Sequence, residues 1–420
     1  MAIAELVRTA LADDAPPRRV APPPPAAPGR ELTGQPAHAQ RRGRLEYLDS
    51  LKVALTALVI AHHAGQSYGP TGGSWPIFDA ERAAVLGPFF AVNAAFFMGL
   101  FFMISAYFLP ASLDRKGVVT FVRDRVVRLG VPLAVLSLAL FAPMAYLSYA
   151  EDGGTLGFLP FLAQVYIGQW QVEFGHLWFV SHLLVYSLVY VAWRLITRGR
   201  AVATATTHDS PPPTTGAIFC FTLALAALSF VVRIQFPVDR WVDLFGFLPA
   251  EPAHLPQYAA LFGAGILAYR NRWLQRLPTT TGLTWLGIGL GAAVLRYAYP
   301  LAANVLGPDV VPALSRGGLN SGSLLWSTWE AFICAGLCIG LVVLFRQYAT
   351  TPGRLVRAAA PNAYGAYILH ILPVVGLQFA LAGMALPPLA KFALVTALGL
   401  PLSFLLTAGL RRLPGVRSVL

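Results

Sequence analysis

Of the 420 residues, 56% are hydrophobic and only 12% are charged, and the mean hydropathy is +0.60. That excludes an ordinary soluble enzyme, in which about a quarter of all residues are charged. The net charge of +12 would suit nucleic acid, but the basic residues fall in short clusters between apolar runs, where they are topology signals first. Several runs reach the roughly 20 apolar residues that cross a bilayer. The expectation is an all-α polytopic membrane protein with the lipid bilayer as partner and no nucleic acid.

Residues 1–42 are rich in Pro, Ala and Arg, including APPPPAAP at 21–28. They are expected to form a disordered cytoplasmic tail, leaving 43–420 as one membrane domain. The start of the chain lacks a charged-then-apolar signal with a cleavage site, so the first span is expected to act as an uncleaved insertion signal. That span is LEYLDSLKVALTALVIAHHAG, 45–65. It carries Asp49, Lys52, His62 and His63. Lys52 and His63 are eleven residues apart, which at about 100° per residue is close to three full turns. One helix face therefore holds both, roughly 16 Å apart along the axis. Ionisable groups inside a span are costly and point to function.

Nine further spans are expected at about 84–109, 129–149, 176–196, 218–232, 258–269, 283–303, 323–345, 364–381 and 386–410. Helices are the expected form, because no backbone group facing lipid can go unpaired. Most basic residues fall in the tail and in alternate connections at 115–128, 194–200, 270–276, 346–357 and 411–417, while Arg82, Arg233, Arg240, Arg296, Arg316 and Lys391 lie in the opposite set. The positive-inside rule then gives ten helices with both termini cytoplasmic. The apolar, aromatic link at 151–175 is too short and Gly/Pro-broken for an eleventh span and reads as interfacial or re-entrant. The three cysteines, Cys220, Cys334 and Cys338, are too few for a zinc site or a disulfide framework and read as packing residues. No metal is expected.

In this orientation several polar residues lie at middle-to-outer depth: His63 on the first span, Asn93 and Ser105 on the second, His176 and His182 on the fourth, Glu330 on the eighth and His370 on the ninth. Together they imply a polar cavity between helices. A histidine and a carboxylate meeting there would suit general acid–base chemistry. On the cytoplasmic side, Arg123, Arg125 and Arg128 cluster before the third span. A short helix would aim Arg125 and Arg128 to one side, a fork suited to phosphate. No GxSxG elbow, HExxH helix or Walker A loop occurs, so hydrolases and ATP-driven pumps have no support. These residues alone leave open a transporter or flippase using histidines as a proton relay, and a structural protein using its polar groups for helix contacts.

Five stretches then occur in one order across most of the chain. They are YLDSLKVALTALVIAHHAG at 47–65, FFMGLFFMISAYFLPAS at 96–112, FVRDRVVRLGVP at 121–132, GHLWFV at 175–180 and AYGAYILH at 363–370. In these the chain resembles the acyltransferase family 3 of bacterial membrane O-acyltransferases, in its glucan-modifying branch. The family's basic-residue, ten-residue spacer, histidine motif falls on Lys52, where arginine is usual, and on His63. Its arginine-rich loop falls on Arg123, Arg125 and Arg128. Ala106 replaces a usual glycine in FFMISAYF.

The resemblance implies a multi-pass protein of the bacterial inner membrane. It would transfer an acyl group, commonly acetyl, from cytoplasmic acyl-CoA to a hydroxyl of a glycan, glycolipid or other envelope acceptor. His63 would be the base, with Lys52 and its neighbour Asp49 beside it on the same helix, and Glu330 as an orienting group. The donor would be held by Arg123, Arg125, Arg128 and Ser105, and the acceptor by His176, Trp178, His370 and Asn93. Trp170 and Trp326 offer further sugar-stacking faces.

Overall fold

The computed structural model describes residues 45–70, 75–197, 210–307 and 314–420. The expected tail at 1–42 lies outside these. In chain order the helices are α1 (Glu46–Gly65), α2 (Leu86–Ala94), α3 (Phe97–Tyr107), α4 (Leu109–Glu151) and α5 (Trp178–Ile196), then α6 (Thr215–Gln235), α7 (Leu255–Arg270), α8 (Thr279–Leu306) and α9 (Ser321–Tyr348), and last α10 (Ala363–Leu369), α11 (Ile371–Leu381) and α12 (Pro388–Leu410). Each of the ten expected segments is helical. By length and composition, seven helices qualify as membrane-crossing, or eight with the bent pair made by Arg354–Leu369 and Ile371–Leu381. The other two expected spans are α1, loaded with charge and histidine, and α7, which has only 16 residues.

The boundaries differ from expectation in three places. The second span breaks between α2 and α3, where Phe96 leaves helical geometry. The arginine-rich link is no loop: Leu109–Glu151 runs as one long helix, kinked at Gly117 and carrying π turns at Val126–Gly130 and Ser137–Phe141. Between α6 and α7 a small antiparallel hairpin, β1 (Val242–Leu244) and β2 (Leu248–Ala250), interrupts an otherwise helical chain. The apolar helix Phe158–Ile167 in the link after α4 is too short to span.

α9 is largely buried, and α8 lies against it with its other faces outward. The two backbones touch at Gly289 and Gly336, where an added Cβ on Gly336 would come within 2.6 Å of Gly289. Small residues permit such close approach where hydrophobicity alone cannot drive helices together in lipid. α1 packs among α9, α10, α11 and α12, which brings its histidine end against the break between α10 and α11.

Candidate functional site

The site is built where three irregularities of the helical frame meet. His370 occupies the break between α10 and α11, a bend of 60°. Pro373 three residues on has no N–H to give the Leu369 carbonyl, so a straight helix cannot continue there. His176 sits in the 3-10 turn Gly175–Leu177 that leads into α5. Gly175 has φ +46°, and a Cβ there would strike the Phe141 ring at 2.4 Å. His63 ends α1. The His63 and His370 ring centroids are 4.8 Å apart, and His176 lies 4.9 Å from His370 and 6.4 Å from His63.

The hydrogen bonds fix the tautomers. His370 Nδ1 is 2.6 Å from the Tyr367 carbonyl oxygen. A carbonyl only accepts, so Nδ1 carries the hydrogen, and Nε2 of the neutral ring is left with its lone pair. His370 is fully buried and pairs with no carboxylate among the described residues, which favours the neutral form. That Nε2 lies 2.8 Å from His63 Nδ1, so His63 is the donor and its own Nε2 holds the free lone pair. His370 thus presents the half-buried His63 as a base. His176 does not enter this chain of bonds. Its Nε2 donates to the Ile368 carbonyl at 2.9 Å, and its backbone carbonyl accepts from the Tyr367 hydroxyl at 2.6 Å.

A second circuit holds His63 from the other side. Gln378 on α11, buried, donates through its amide nitrogen to the carbonyls of His63 (3.0 Å) and Ala64 (3.1 Å). Those carbonyls belong to the last turn of α1, where i→i+4 partners run out and the His63 oxygen otherwise takes only the Gln66 N–H at 3.2 Å. The Gln378 amide oxygen accepts the Trp75 indole N–H at 2.9 Å, and the Trp75 ring lies parallel to the His63 imidazole at 5.4 Å. The segment carrying Trp75 is pinned by Lys391 to Asp79 (2.5 Å) and by the Ser67 hydroxyl to the Ile77 carbonyl (2.8 Å). Neither Trp75 nor Gln378 was singled out from sequence. A lone Gln inside an apolar span is the kind of signal that flagged Asn93, and it was legible in LPVVGLQFAL.

His62, adjacent to the base, faces elsewhere: its ring packs on Phe89, Phe90 and Phe97, with Nδ1 unbonded. Lys52 lies toward the opposite end of α1, paired with Asp49 at 2.7 Å and over the Phe108 ring at 5.5 Å. Arg125 stacks on Phe121 and Arg128 on Tyr364, whose hydroxyl donates to the Arg128 carbonyl at 2.6 Å. Among the described residues neither guanidinium has a carboxylate partner, whereas Asp124 is taken by Lys116. Arg123 is exposed, Ser105 is half-buried on α3, and Asn93 is buried on α2 with its amide nitrogen unbonded. Trp178 is away from the histidine triplet, stacked on Tyr258 and against Trp241. Trp170 stands exposed, and Trp326 packs on Trp329 under Arg296.

Glu330 does not reach His63. Buried on α9, it pairs with Arg233 of α6 and with His254 Nε2 at 2.6 Å, while His254 Nδ1 faces Glu251 at 2.7 Å. Both imidazole nitrogens face carboxylates, so the ring is an imidazolium and the four groups sum to zero charge. His254 lies in the turn before α7; burial lowers its pKa, but the two carboxylates outweigh that and push it up to about 10. Arg233 reads from sequence as a loop charge because it stands near a span end. Only the packing of α6 on α9 shows that it is buried.

A family model described as an acyltransferase domain matches residues 45–408. The chain belongs to the acyltransferase family 3. No curated protein and no solved structure matches it. The matched range covers every element that forms the histidine site, from α1 to α11, so this acyltransferase is a multi-pass membrane protein whose site is assembled within the family domain.

Proposed function

We propose that the protein moves an acyl group, acetyl by preference, from cytoplasmic acyl-CoA to a hydroxyl of a glycan, glycolipid or other envelope acceptor in the bacterial inner membrane. In this reading ten helices cross the bilayer with both termini cytoplasmic, α1 and α7 counting as spans because neighbouring helices shield their polar groups and their short length. His63 Nε2 removes the acceptor's hydroxyl proton as that oxygen attacks the thioester carbonyl. A C–O bond forms and the C–S bond breaks. The departing thiolate takes the proton back from the imidazolium, so free CoA and the ester leave and His63 is restored.

The observation that supports this most is the chain from the Tyr367 carbonyl through His370 to His63, which leaves one lone pair on the only partly exposed ring of the three. Arg125 and Arg128, without carboxylate partners among the described residues, suit the CoA phosphates. Lys52, held by Asp49 about three turns from His63, acts on the donor side of α1 rather than on the proton. His176, through its hydrogen bonds with the Ile368 carbonyl and the Tyr367 hydroxyl, supports the shape of the break.

The test is thioester consumption and product acylation by purified protein supplied with labelled acetyl-CoA, comparing wild type with His63→Ala and His62→Ala. Turnover lost in His63→Ala alone, at unchanged thermal stability, supports the reading. If wild type neither binds nor consumes acyl-CoA, the donor assignment is wrong and solute or lipid-linked sugar transport takes its place. If only His62→Ala is inactive, the base is misassigned.

A further inference from the structure

The short helix α7 is flanked on both sides by clefts unrelated to the histidine site. One, of about 410 Å³, lies between α7, α6 and α9; the other, of about 490 Å³, lies between α7 and α5. Both are walled almost wholly by apolar side chains. They share Ala259, Gly263 and Leu267, residues four apart that form the ridge dividing them. At Gly263 an added Cβ would meet no atom within 4 Å.

Both clefts have the same polar end. The α5 cleft finishes at Trp193 and Arg270, with the guanidinium over the indole at 5.2 Å. The α9 cleft finishes at Trp273, whose indole nitrogen is buried without a hydrogen-bond partner. Arg270 is exposed and, among the described residues, has no carboxylate partner; Arg272 is exposed two residues on. Paired tryptophan and arginine at one end of apolar walls is the pattern of a membrane–water interface. The ridge from Ala259 to Arg270 rises roughly 16 Å. That is about half of a hydrocarbon core roughly 30 Å thick, the depth of one leaflet.

We propose that one anionic two-chain phospholipid of the leaflet at the Arg270 end straddles α7, with one acyl chain in each cleft and its phosphate on the Arg270 guanidinium. The shared ridge separates two chains from one headgroup, and the half-bilayer length fits acyl chains rather than a spanning partner. A cation with no carboxylate partner among the described residues selects negative charge. A single-chain isoprenoid lipid would fill one cleft and leave its twin empty.

Native mass spectrometry of the full-length protein in mild detergent tests this, titrating phosphatidylglycerol, phosphatidylcholine of the same chains, and lyso-phosphatidylglycerol. One phosphatidylglycerol is expected to bind more tightly than either comparison lipid. Arg270→Gln should weaken it about 5-fold, the weight of one basic residue at a membrane surface, and leave phosphatidylcholine unchanged. Gly263→Phe, placed in open space, should weaken both two-chain lipids at unchanged thermal stability. Equal binding of phosphatidylglycerol and phosphatidylcholine, or no effect of Arg270→Gln, would overturn the headgroup assignment. A lyso-lipid binding as tightly as the two-chain lipid, or Gly263→Phe without effect, would overturn the straddled geometry. None of these readouts depends on acyl transfer.

Discussion

Replacing His370 by Phe removes the acceptor that holds His63 in its basic tautomer. The His63 Nδ1–H, now 2.8 Å from an imidazole nitrogen, would face a ring edge. Leaving a buried donor unpaired costs about 1–3 kcal/mol, so the ring is driven to place its hydrogen on Nε2, where water or substrate can take it. That tautomer has no lone pair where the acceptor hydroxyl binds. The expected loss is the worth of a general base, about 10²- to 10⁴-fold in turnover, approaching that of His63→Ala. His370→Gln can turn its amide oxygen toward His63 and should recover part of the activity. The assay is release of free CoA from acetyl-CoA in detergent-solubilised protein, with the Michaelis constant for acetyl-CoA read in parallel. That constant should change little, because His370 lies away from the arginines. Turnover in His370→Phe within about 2-fold of wild type would refute the tautomer argument, as would equal losses in the Phe and Gln variants.

Three further outcomes are expected. His62→Phe should keep turnover within about 3-fold and its thermal midpoint unchanged or higher, since the ring packs among three phenylalanines; a dead, well-folded variant would contradict this. Glu330→Gln should destabilise by about 3–5 kcal/mol, because it strips the buried Arg233 of its counter-charge; thermal unfolding in detergent measures it, and a double Arg233→Met, Glu330→Met variant should recover much of the loss. With its folded pKa raised to about 10 from the usual imidazole value of 6.5, His254 contributes stability that is complete below pH 6.5 and is lost as pH rises toward 10. The thermal midpoint of wild type minus that of His254→Gln should therefore shrink across that window, and a constant difference would contradict the imidazolium assignment.

The membrane character, the helical content and the position of all ten helical segments were legible in the apolar runs, because span length and hydropathy are local properties. The boundaries at the arginine-rich link and at α2–α3 were not. The basic cluster marked a connection between spans, with only a short helix expected at Arg125 and Arg128, yet a helix tolerates one kink at Gly117, and the chain from Leu109 to Glu151 satisfies its backbone groups by staying helical. Lys52 and His63 both lie on α1, the helix expected from the first apolar run, and the criterion of costly polar residues flagged His176 and His370.

What sequence alone determined, then, was the composition of each helix face: the basic end of α1, its histidine end, and the polar residues that each span carries at a cost. Partnership was decided only by tertiary structure. His370 and His63 are 307 residues apart, and Gln378 and Trp75 are 303 apart, so no local periodicity links them. Glu330 illustrates the reverse case: its burial was foreseen, but its placement with Arg233 and His254, away from His63, followed from α9 packing against α6. A charge buried in a bundle is neutralised by whichever opposite charge the packing brings within reach, and sequence order does not encode that reach.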